Sequence, residues 1–531
     1  MLLEFKQVEL QSLSPTLLPS LVHGTQCWPM TEMVSPCEAA CPLGQDVPNY
    51  VIAIAQGKFD EALAIIRKTN PLPSICGRIC HHPCEDVCNR KVLEEPIAIR
   101  ALKRAAVDYS SKTSRTRTAL KKGPKKDRVA VIGSGPAGLT AAYDLAKKGY
   151  AIAIYEASPF IGGMLATSIP EFVLPRHILQ DDISYITNLG VKIKTNTALG
   201  KDLSTNDLLK LGFKAILLAT GAQESAKLPV PGIDLDGVTY ALPFLFHAKV
   251  GGGEPLSGKK VVIIGGGNVA IDAARCAVRL KAQEVHLTCL ESRRQMPAYS
   301  WEIDAAVKEG VKLHPSLAPQ RFNASYGKKA GSIDFKRVSS FKRFEDGRIT
   351  WTLIEGTEGD SSMDADIIII AIGQAATPPG NIGNVALGAR KTVEVDPLTM
   401  ATNVAGIFAA GDVVQVPGTV SESMAAGRRA AISINRYLQG KDIKQGRKSR
   451  AKPIFEIKPD NVPLFLGREN KWQVPSVAPR DAIRSFDECS LGYTKWQAIE
   501  EAKRCLNCRM CGNCIFEHMQ LCLETAGRLL V

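Results

Sequence analysis

Fifteen cysteines punctuate the 531 residues, and their spacing is the first feature that could do chemistry. Seven lie between Cys27 and Cys88 and six between Cys489 and Cys522, leaving only Cys276 and Cys289 in the long stretch between. Cys76, Cys80, Cys84 and Cys88 recur every four residues, with Cys37 and Cys41 upstream. A helical core stripe can show that interval, but Pro83 interrupts any continuous helix here, and His81 and His82 are polar. Thiols at this density ligate metal, either as a four-thiolate zinc site or as an iron–sulfur cluster. The interval is looser than the paired knuckles of structural zinc sites, which favours iron–sulfur and leaves zinc as the rival. Towards the other end, Cys505, Cys508, Cys511 and Cys514 run as C-x2-C-x2-C-x2-C with Cys522 beyond, a ferredoxin-like pattern. Cys508, Cys511 and Cys514 read as ligands. The fourth stays open between Cys522 and Cys505, because the usual fourth cysteine comes about three residues on and precedes a proline.

The second chemistry is phosphate binding. Gly133, Gly135 and Gly138 stand in the order G-x-G-x-x-G, with Pro136 and Ala137 inside the motif. An apolar β-type run, Arg128 to Ile132, precedes it and a helical pattern, Leu139 to Lys148, follows. A second strand, Ala151 to Tyr155, ends at Glu156, 18 residues beyond the last glycine. That context makes the motif a dinucleotide fingerprint: glycines for the tight turn and close backbone approach, a helix N-terminus for the pyrophosphate, an acid for the ribose hydroxyls. The pattern repeats about 130 residues later. Strand Lys259 to Ile264 leads into Gly265, Gly266, Gly267, Asn268, Val269 and Ala270, then a helix to Leu280 and a strand from Val285 to Leu290. Two such sites in one chain imply a bound flavin and a nicotinamide nucleotide that reduces it. For the nucleotide, NADH and NADPH both remain open. Glu291 suits ribose hydroxyls and tilts the reading slightly to NADH, while Arg293 and Arg294 could grip a 2′-phosphate.

The elements that must position these residues follow from composition and pattern. With 45% apolar and 22% charged residues the chain is globular. The longest apolar run, around Ile367 to Ile372, is far short of the ~20 residues of a membrane helix. Glu4 stands where an export signal wants basic residues, so a cytoplasmic protein without disulfides is expected. The formal charge of +13 is concentrated in two stretches, Ser111 to Arg128 and Lys441 to Lys452. Without interleaved aromatics these read as solvated connectors, able to steer an acidic partner, and nucleic-acid binding is disfavoured. Apolar strands ending in small residues recur at Ile216 to Ala222, Ile367 to Gly373 and Gly406 to Asp412, the last followed by Gly418, Thr419 and a helix from Ser421 to Tyr437. Cys276 and Cys289, 13 apart on elements expected to be buried, are no redox pair, so hydride has no dithiol to go to.

Thr220 and Gly221, at the end of the Ile216 strand, are further cofactor-binding candidates. Taken together, Gly162-Gly163-Met164, Ile169-Pro170-Glu171-Phe172, Met296-Pro297-Ala298, Gly411-Asp412 and Ala426 to Ala431 resemble a known family. It comprises the glutamate synthase small subunit and its relatives, NAD(P)H-dependent FAD and iron–sulfur oxidoreductases with a flavin disulfide-reductase-like fold. The likeness covers about Glu38 to Leu438. It implies an α/β fold with two Rossmann-like domains, the nicotinamide domain inserted into the FAD domain, and Asp412 against the FAD ribityl or phosphate region. The run from Ala40 to Cys88 also resembles the N-terminal cluster domain shared with dihydropyrimidine dehydrogenase. That likeness implies one [4Fe–4S] cluster on Cys41, Cys80, Cys84 and Cys88, and a second on Cys37 and Cys76 with Cys27 as a further candidate. The family's extra C-x2-C upstream of Cys37 is missing here, and the cysteine tail is no part of the minimal glutamate synthase subunit.

The expected layout is an extension at 1–36, a helical iron–sulfur domain at 37–110, a basic linker at 111–127, and FAD segments at 128–224 and 373–440. The nicotinamide domain occupies 225–372, with a linker at 441–488 and a ferredoxin-like iron–sulfur segment at 489–531. The expected function is electron input: NAD(P)H oxidised through FAD, single electrons leaving through [4Fe–4S] clusters. The acceptor would be a larger oxidoreductase subunit or a ferredoxin, in a hetero-oligomer. A true glutamate synthase small subunit and a non-enzymatic cluster scaffold are the alternatives. No side chain is assigned as acid or base.

Overall fold

The computed structural model describes residues 34–116, 126–344, 348–356, 361–376, 378–388, 390–415, 418–447 and 468–508. Cys27, Cys511, Cys514 and Cys522, and the extension at 1–33, lie outside them.

Short helices form the first described segment: Pro36–Ala40, Val47–Ala55, Phe59–Arg67, Pro73–Ile79, Pro83–Asp86 and Ile99–Asp108. Pro36, Pro73 and Pro83 each open their helix, where a missing N–H costs nothing and φ is already helical. The longer helices bury one apolar face each, and Tyr50, Ile54, Phe59, Ile66, Leu102 and Ala106 make a common core.

Two parallel sheets follow. In the first, the strands run in the order Ile407–Ala409, Phe213–Leu218, Lys126–Ile132, Tyr150–Tyr155, Lys192–Lys194. In the second the order is Val238–Tyr240, Ile367–Ile370, Lys260–Ile264, Glu284–Thr288, Lys312–His314. Both are covered on two faces, which is why their central strands read as unbroken apolar runs: Val129 and Val131 face one core, Ala130 and Ile132 another. Lys126–Ile132 in the first sheet and Lys260–Ile264 in the second each sit where the strand order reverses, and the crevice at the carboxyl end of such a strand is where such sheets bind ligands. The chain leaves the first sheet after Leu218 and rejoins it at Ile407, having built the second sheet in between. The two crossings pair as a short antiparallel ribbon, Glu224–Ser225 with Gln374–Ala375. A four-stranded antiparallel sheet from Leu317 to Asp364 flanks the second.

The last described stretch, 468–508, covers parts of the expected linker and cysteine segment. It lies across the helical domain. Arg104 donates to the Ser490 carbonyl at 2.9 Å and pairs with Glu488 at 2.8 Å, while Tyr109 donates to the Tyr493 carbonyl at 2.7 Å. Helix Lys495–Lys503, with a full capping box at Thr494 and Gln497, packs Ala498 and Ala502 into the helical core. In the same helix, Glu501 is fully buried, accepts from the Ala98 and Trp472 amides at 2.9 and 3.1 Å, and pairs with Arg504 at 2.8 Å. Arg504 in turn reaches Glu94 at 3.0 Å. A buried pair whose carboxylate accepts three hydrogen bonds resists separation, because losing either partner strands a charge.

Helix Val420–Leu438 crosses helix Pro136–Ala146 at Gly427, where a Cβ would stand 2.1 Å from the Ala137 carbonyl oxygen. Gly427→Ala is expected to cost about 1–3 kcal/mol by overpacking, read as a lower Tm with weaker retention of flavin. Elsewhere, Asp182 on helix Arg176–Thr187 accepts from the Ser74 and Ile75 amides, both at 3.1 Å, and from the Ser74 hydroxyl at 2.8 Å. Burial pushes its carboxyl up to about 7, against these hydrogen bonds. A folded-state value above the ordinary one means that the fold takes up a proton, so this contribution to stability is full below about pH 4 and lost as pH rises through about 7. The Tm difference between Asp182→Asn and the wild type should therefore move several degrees in the variant's favour between pH 4.5 and pH 8; a gap independent of pH would contradict it.

Candidate cofactor and cluster sites

Gly133 takes φ +104°, and a Cβ there would stand 2.3 Å from the Ala219 carbonyl oxygen; Gly265, at φ +141°, repeats the contact at 2.2 Å from Ala371. These are the turns that let each fingerprint loop pass under the neighbouring strand. The next fingerprint glycines behave differently. A Cβ on Gly135 or Gly267 would meet nothing within 4 Å, so the loop is open where a phosphate must approach.

A cavity of about 530 Å³ opens at the carboxyl edge of the first sheet. Gly133, Gly135, Pro136, Ala137, Glu156, Gly163 and Met164 line it from one side. Thr220, Gly221, Gly411, Asp412, Gly418 and Thr419 line it from the other. Glu156 does not stand free. Its carboxylate accepts from the Ser134 amide and hydroxyl at 2.9 and 2.6 Å, and from the Ser158 amide at 2.9 Å, which locks the fingerprint loop to the end of the second strand. Ser134, fully buried, also accepts from Gly162 at 2.9 Å; sequence reading passed over it as a filler position of the motif. The Ser423 hydroxyl donates to Asp412 at 3.1 Å, and burial raises that carboxyl above the usual range. The buried Thr220 hydroxyl has no partner among the described residues, an open polar group on a wall built for a polar ligand. Open glycine backbone, an oriented acid and this hydroxyl fit the dinucleotide half of FAD.

The second sheet contributes Asn268 and Val269 to the same cavity, with Asp272, Tyr299, Trp301 and Glu302. Ala270 is fully buried beneath them. Glu291 is buried and pairs with Arg343 at 2.9 Å, close beside Gly266. Arg293 pairs with Asp304 at 2.8 Å and Arg294 is exposed. Gly373 sits where the chain crosses back, its carbonyl accepting from Ala226 at 3.0 Å, away from the cavity lining. Cys276 and Cys289 are 1% and 3% exposed, in the core as expected.

The helical domain supplies the third wall. Ile79, Cys80, His81 and Arg100 reach the same cavity. His81 stacks on Tyr299 at 5.9 Å, Tyr299 on Trp301 at 4.7 Å, and His82 meets Trp301 at 4.6 Å, an aromatic pile joining the helical domain to the second sheet. None of these residues carried a motif; only their convergence marks them.

The thiols sort into two sets. Cys41, Cys76, Cys80 and Cys84 are all buried and lie within electrostatic reach of Lys103, itself 4% exposed. Burial opposes the Lys103 charge, but the four sulfurs outweigh it and hold the ammonium above its usual range. Cys37, Cys88, Cys505 and Cys508 are only half-buried and form the other set. The expected grouping put Cys88 with Cys41, Cys80 and Cys84, and Cys76 with Cys37. Cys84 lies inside a short helix, whereas Cys88 follows the helix end in extended conformation, with ψ 122°. Residues four apart share a face only while the helix lasts. Among the described residues no three His, Cys, Asp or Glu side chains converge tightly enough for a single ion. Zinc needs four sulfurs about 2.3 Å from one centre, so thiol sets that approach without converging fit a larger inorganic core.

Among the described residues no helix is long and apolar enough to cross a membrane. A model of the pyridine nucleotide-disulphide oxidoreductases matches residues 127–427, and a model of dihydropyrimidine dehydrogenase domain II, 4Fe-4S cluster, matches residues 24–115. The NADP(+)-dependent formate dehydrogenase subunit beta of Moorella thermoacetica is 38% identical over 90% of this chain and 71% of its own. The glutamate synthase [NADPH] small chain of Azospirillum brasilense is 31% identical over 76% of this chain and 86% of its own. Among solved structures, Mycobacterium tuberculosis FprA in complex with NADPH covers 59% of this chain and 85% of its own at TM-score 0.51 and 17% identity, a likeness of fold. Fingerprints, cavity and thiols therefore have one reading: the chain belongs to the pyridine nucleotide-disulphide oxidoreductase family, as an NAD(P)H-dependent oxidoreductase using FAD and a [4Fe–4S] domain.

Proposed function

We propose that this chain is the electron-input subunit of a hetero-oligomeric oxidoreductase. One observation carries the reading. A single cavity is lined by the first fingerprint, by Asn268 and Val269 of the second, and by the cluster-domain residue Cys80. When bound, FAD takes hydride from a nicotinamide nucleotide and iron–sulfur clusters carry single electrons, so the cavity is where paired and unpaired electron chemistry meet. Gly135 would admit the FAD pyrophosphate, with Gly133 making the turn, Gly138 packing the helix against it, and Glu156 holding the loop that faces the ribose. Thr220, Gly221, Asp412 and the capped helix start at Thr419 would orient the flavin end. Gly265, Gly267, Asn268, Val269 and Ala270 would hold the nicotinamide nucleotide. In this reading 128–224 and 373–440 serve FAD and 225–372 the nucleotide, a division that the return of the chain to the first sheet at Ile407 supports.

The relative from Moorella thermoacetica is named as a subunit, which supports a companion chain here. Which companion, a larger oxidoreductase subunit or a ferredoxin, would follow from anaerobic isolation in the native host with a count of iron, flavin and co-purifying chains. A protein isolated alone and free of flavin would end the proposal. A glutaminase-bearing companion would instead favour the glutamate synthase reading that the Azospirillum brasilense likeness supports.

Two substitutions probe the residues. Glu291 puts a carboxylate beside the second fingerprint, where it repels a 2′-phosphate and suits ribose hydroxyls. Glu291→Gln should raise the ratio of flavin bleaching rates, NADPH over NADH, by about 10-fold, the weight of ~1.4 kcal/mol; an unchanged ratio would remove Glu291 from nucleotide choice. Lys103 places a buried positive charge among Cys41, Cys76, Cys80 and Cys84. Its replacement in Lys103→Met disfavours an added electron, so the midpoint potential of that cluster should fall by tens of millivolts in a redox titration followed by electron paramagnetic resonance.

A further inference from the structure

The C-terminal cysteines do not stand apart from the N-terminal ones. Cys505 and Cys508 are separated from Cys88 by more than 400 residues. Yet Cys37, Cys88, Cys505 and Cys508 line one small cavity, roofed by Val47, Val51 and Ile97. Asn89, next to Cys88, points its side-chain amide at Cys508 Sγ, 3.4 Å away. Arg90 donates to the Arg504 carbonyl at 3.2 Å, one residue before Cys505. The Glu501–Arg504 pair and its bonds to Ala98 and Glu94 hold this end of the chain in place.

We infer that Cys37, Cys88, Cys505 and Cys508 form a second [4Fe–4S] site, closed by both ends of the chain, through which electrons leave for the partner. The inference rests on the electron-input reading above. Four thiolates complete a cubane cluster, and this cavity brings four together. Among the described residues the helical domain offers this cavity two thiols, Cys37 and Cys88, and the tail offers it two, Cys505 and Cys508. The expected N-terminal set for the second cluster, Cys37 with Cys76, is replaced by a set that spans the molecule. Burial orders the two sites. The four thiols of the set around Lys103 are buried and include Cys80 at the dinucleotide cavity, whereas these four are half-buried. A dry site beside the flavin cavity and a site nearer the surface make an inlet and an outlet. The Asn89 amide and the Arg90 side chain beside it supply hydrogen bonding and charge, two levers on cluster potential.

The test counts inorganic atoms in the full chain, isolated anaerobically, with bound flavin as the control for folding. Cys37→Ser and Cys508→Ser should each lose about four iron and four sulfide, and the double variant should lose the same about four, because both substitutions empty one cluster. Combining Cys508→Ser with Cys84→Ser should lose about eight. If the Cys37→Ser and Cys508→Ser losses add, the two thiols serve different clusters and the inference is wrong. It is equally wrong if Cys508→Ser keeps all its iron. A Cys84→Ser chain that keeps full iron would count against the electron-input reading instead. Should a variant fail to accumulate, the wild type answers the same question. During stepwise oxidative loss of iron, Cys37 and Cys508 should become open to alkylation in one step, and exposure in separate steps would overturn the shared site.

Discussion

Two backbone contacts set the rest of this molecule. At Gly133 against Ala219, and at Gly265 against Ala371, the chain turns so close to the neighbouring strand that a Cβ would stand 2.3 and 2.2 Å from a carbonyl oxygen. Those contacts let the loop after each first strand dip beneath its neighbour and open a crevice at the switch point of each sheet. Gly427 against Ala137 adds a third close approach, fixing the helix that floors the cavity. Everything chemical is arranged around the space so created. Glu156 and Ser134 tie the loop, Asp412 and Thr220 face it, and Cys80 looks in from the third domain.

Electrostatics grades the path outward. Lys103 sits at 4% exposure among four sulfurs, a charge that only nearby negative groups can hold in such a place. Beyond it, the half-buried outer thiols are bounded by Arg90, Asn89 and the Glu501–Arg504 pair. The same tail also anchors the nucleotide-binding half: the Cys489 amide donates to the Phe172 carbonyl at 3.0 Å, and Phe172 lies under the Arg279 guanidinium at 3.8 Å. One strap thus seals the outer thiols and holds the second sheet against the first, so cluster occupancy and domain placement share a mechanical element.

Much of this was legible from residues alone because it depends on local spacing. Glycines at fixed offsets between a strand and a helix can bend in few ways, so the turn, the helix start and the acid after the second strand followed from the chain. Helix limits moved by only a few residues: Pro136–Ala146 against an expected Leu139 to Lys148, and Val420–Leu438 against Ser421 to Tyr437. The core positions of Cys276 and Cys289 were legible for the same reason. Thiol density, likewise, announced metal chemistry without any fold.

The partition of those thiols was not legible. Periodicity treats Cys84 and Cys88 as neighbours on one helical face, but the helix stops between them and Cys88 is extended, with ψ 122°. Nor could spacing reveal that Cys505 meets Cys88, since a contact across 417 residues is set by packing of the intervening domains. Sequence by itself determined which residues can bind nucleotide or iron, because those capacities reside in residue type and short-range geometry. Only the tertiary structure decided which thiols share a site and that one of them opens on the dinucleotide cavity, because distance between remote segments is a property of the packed whole.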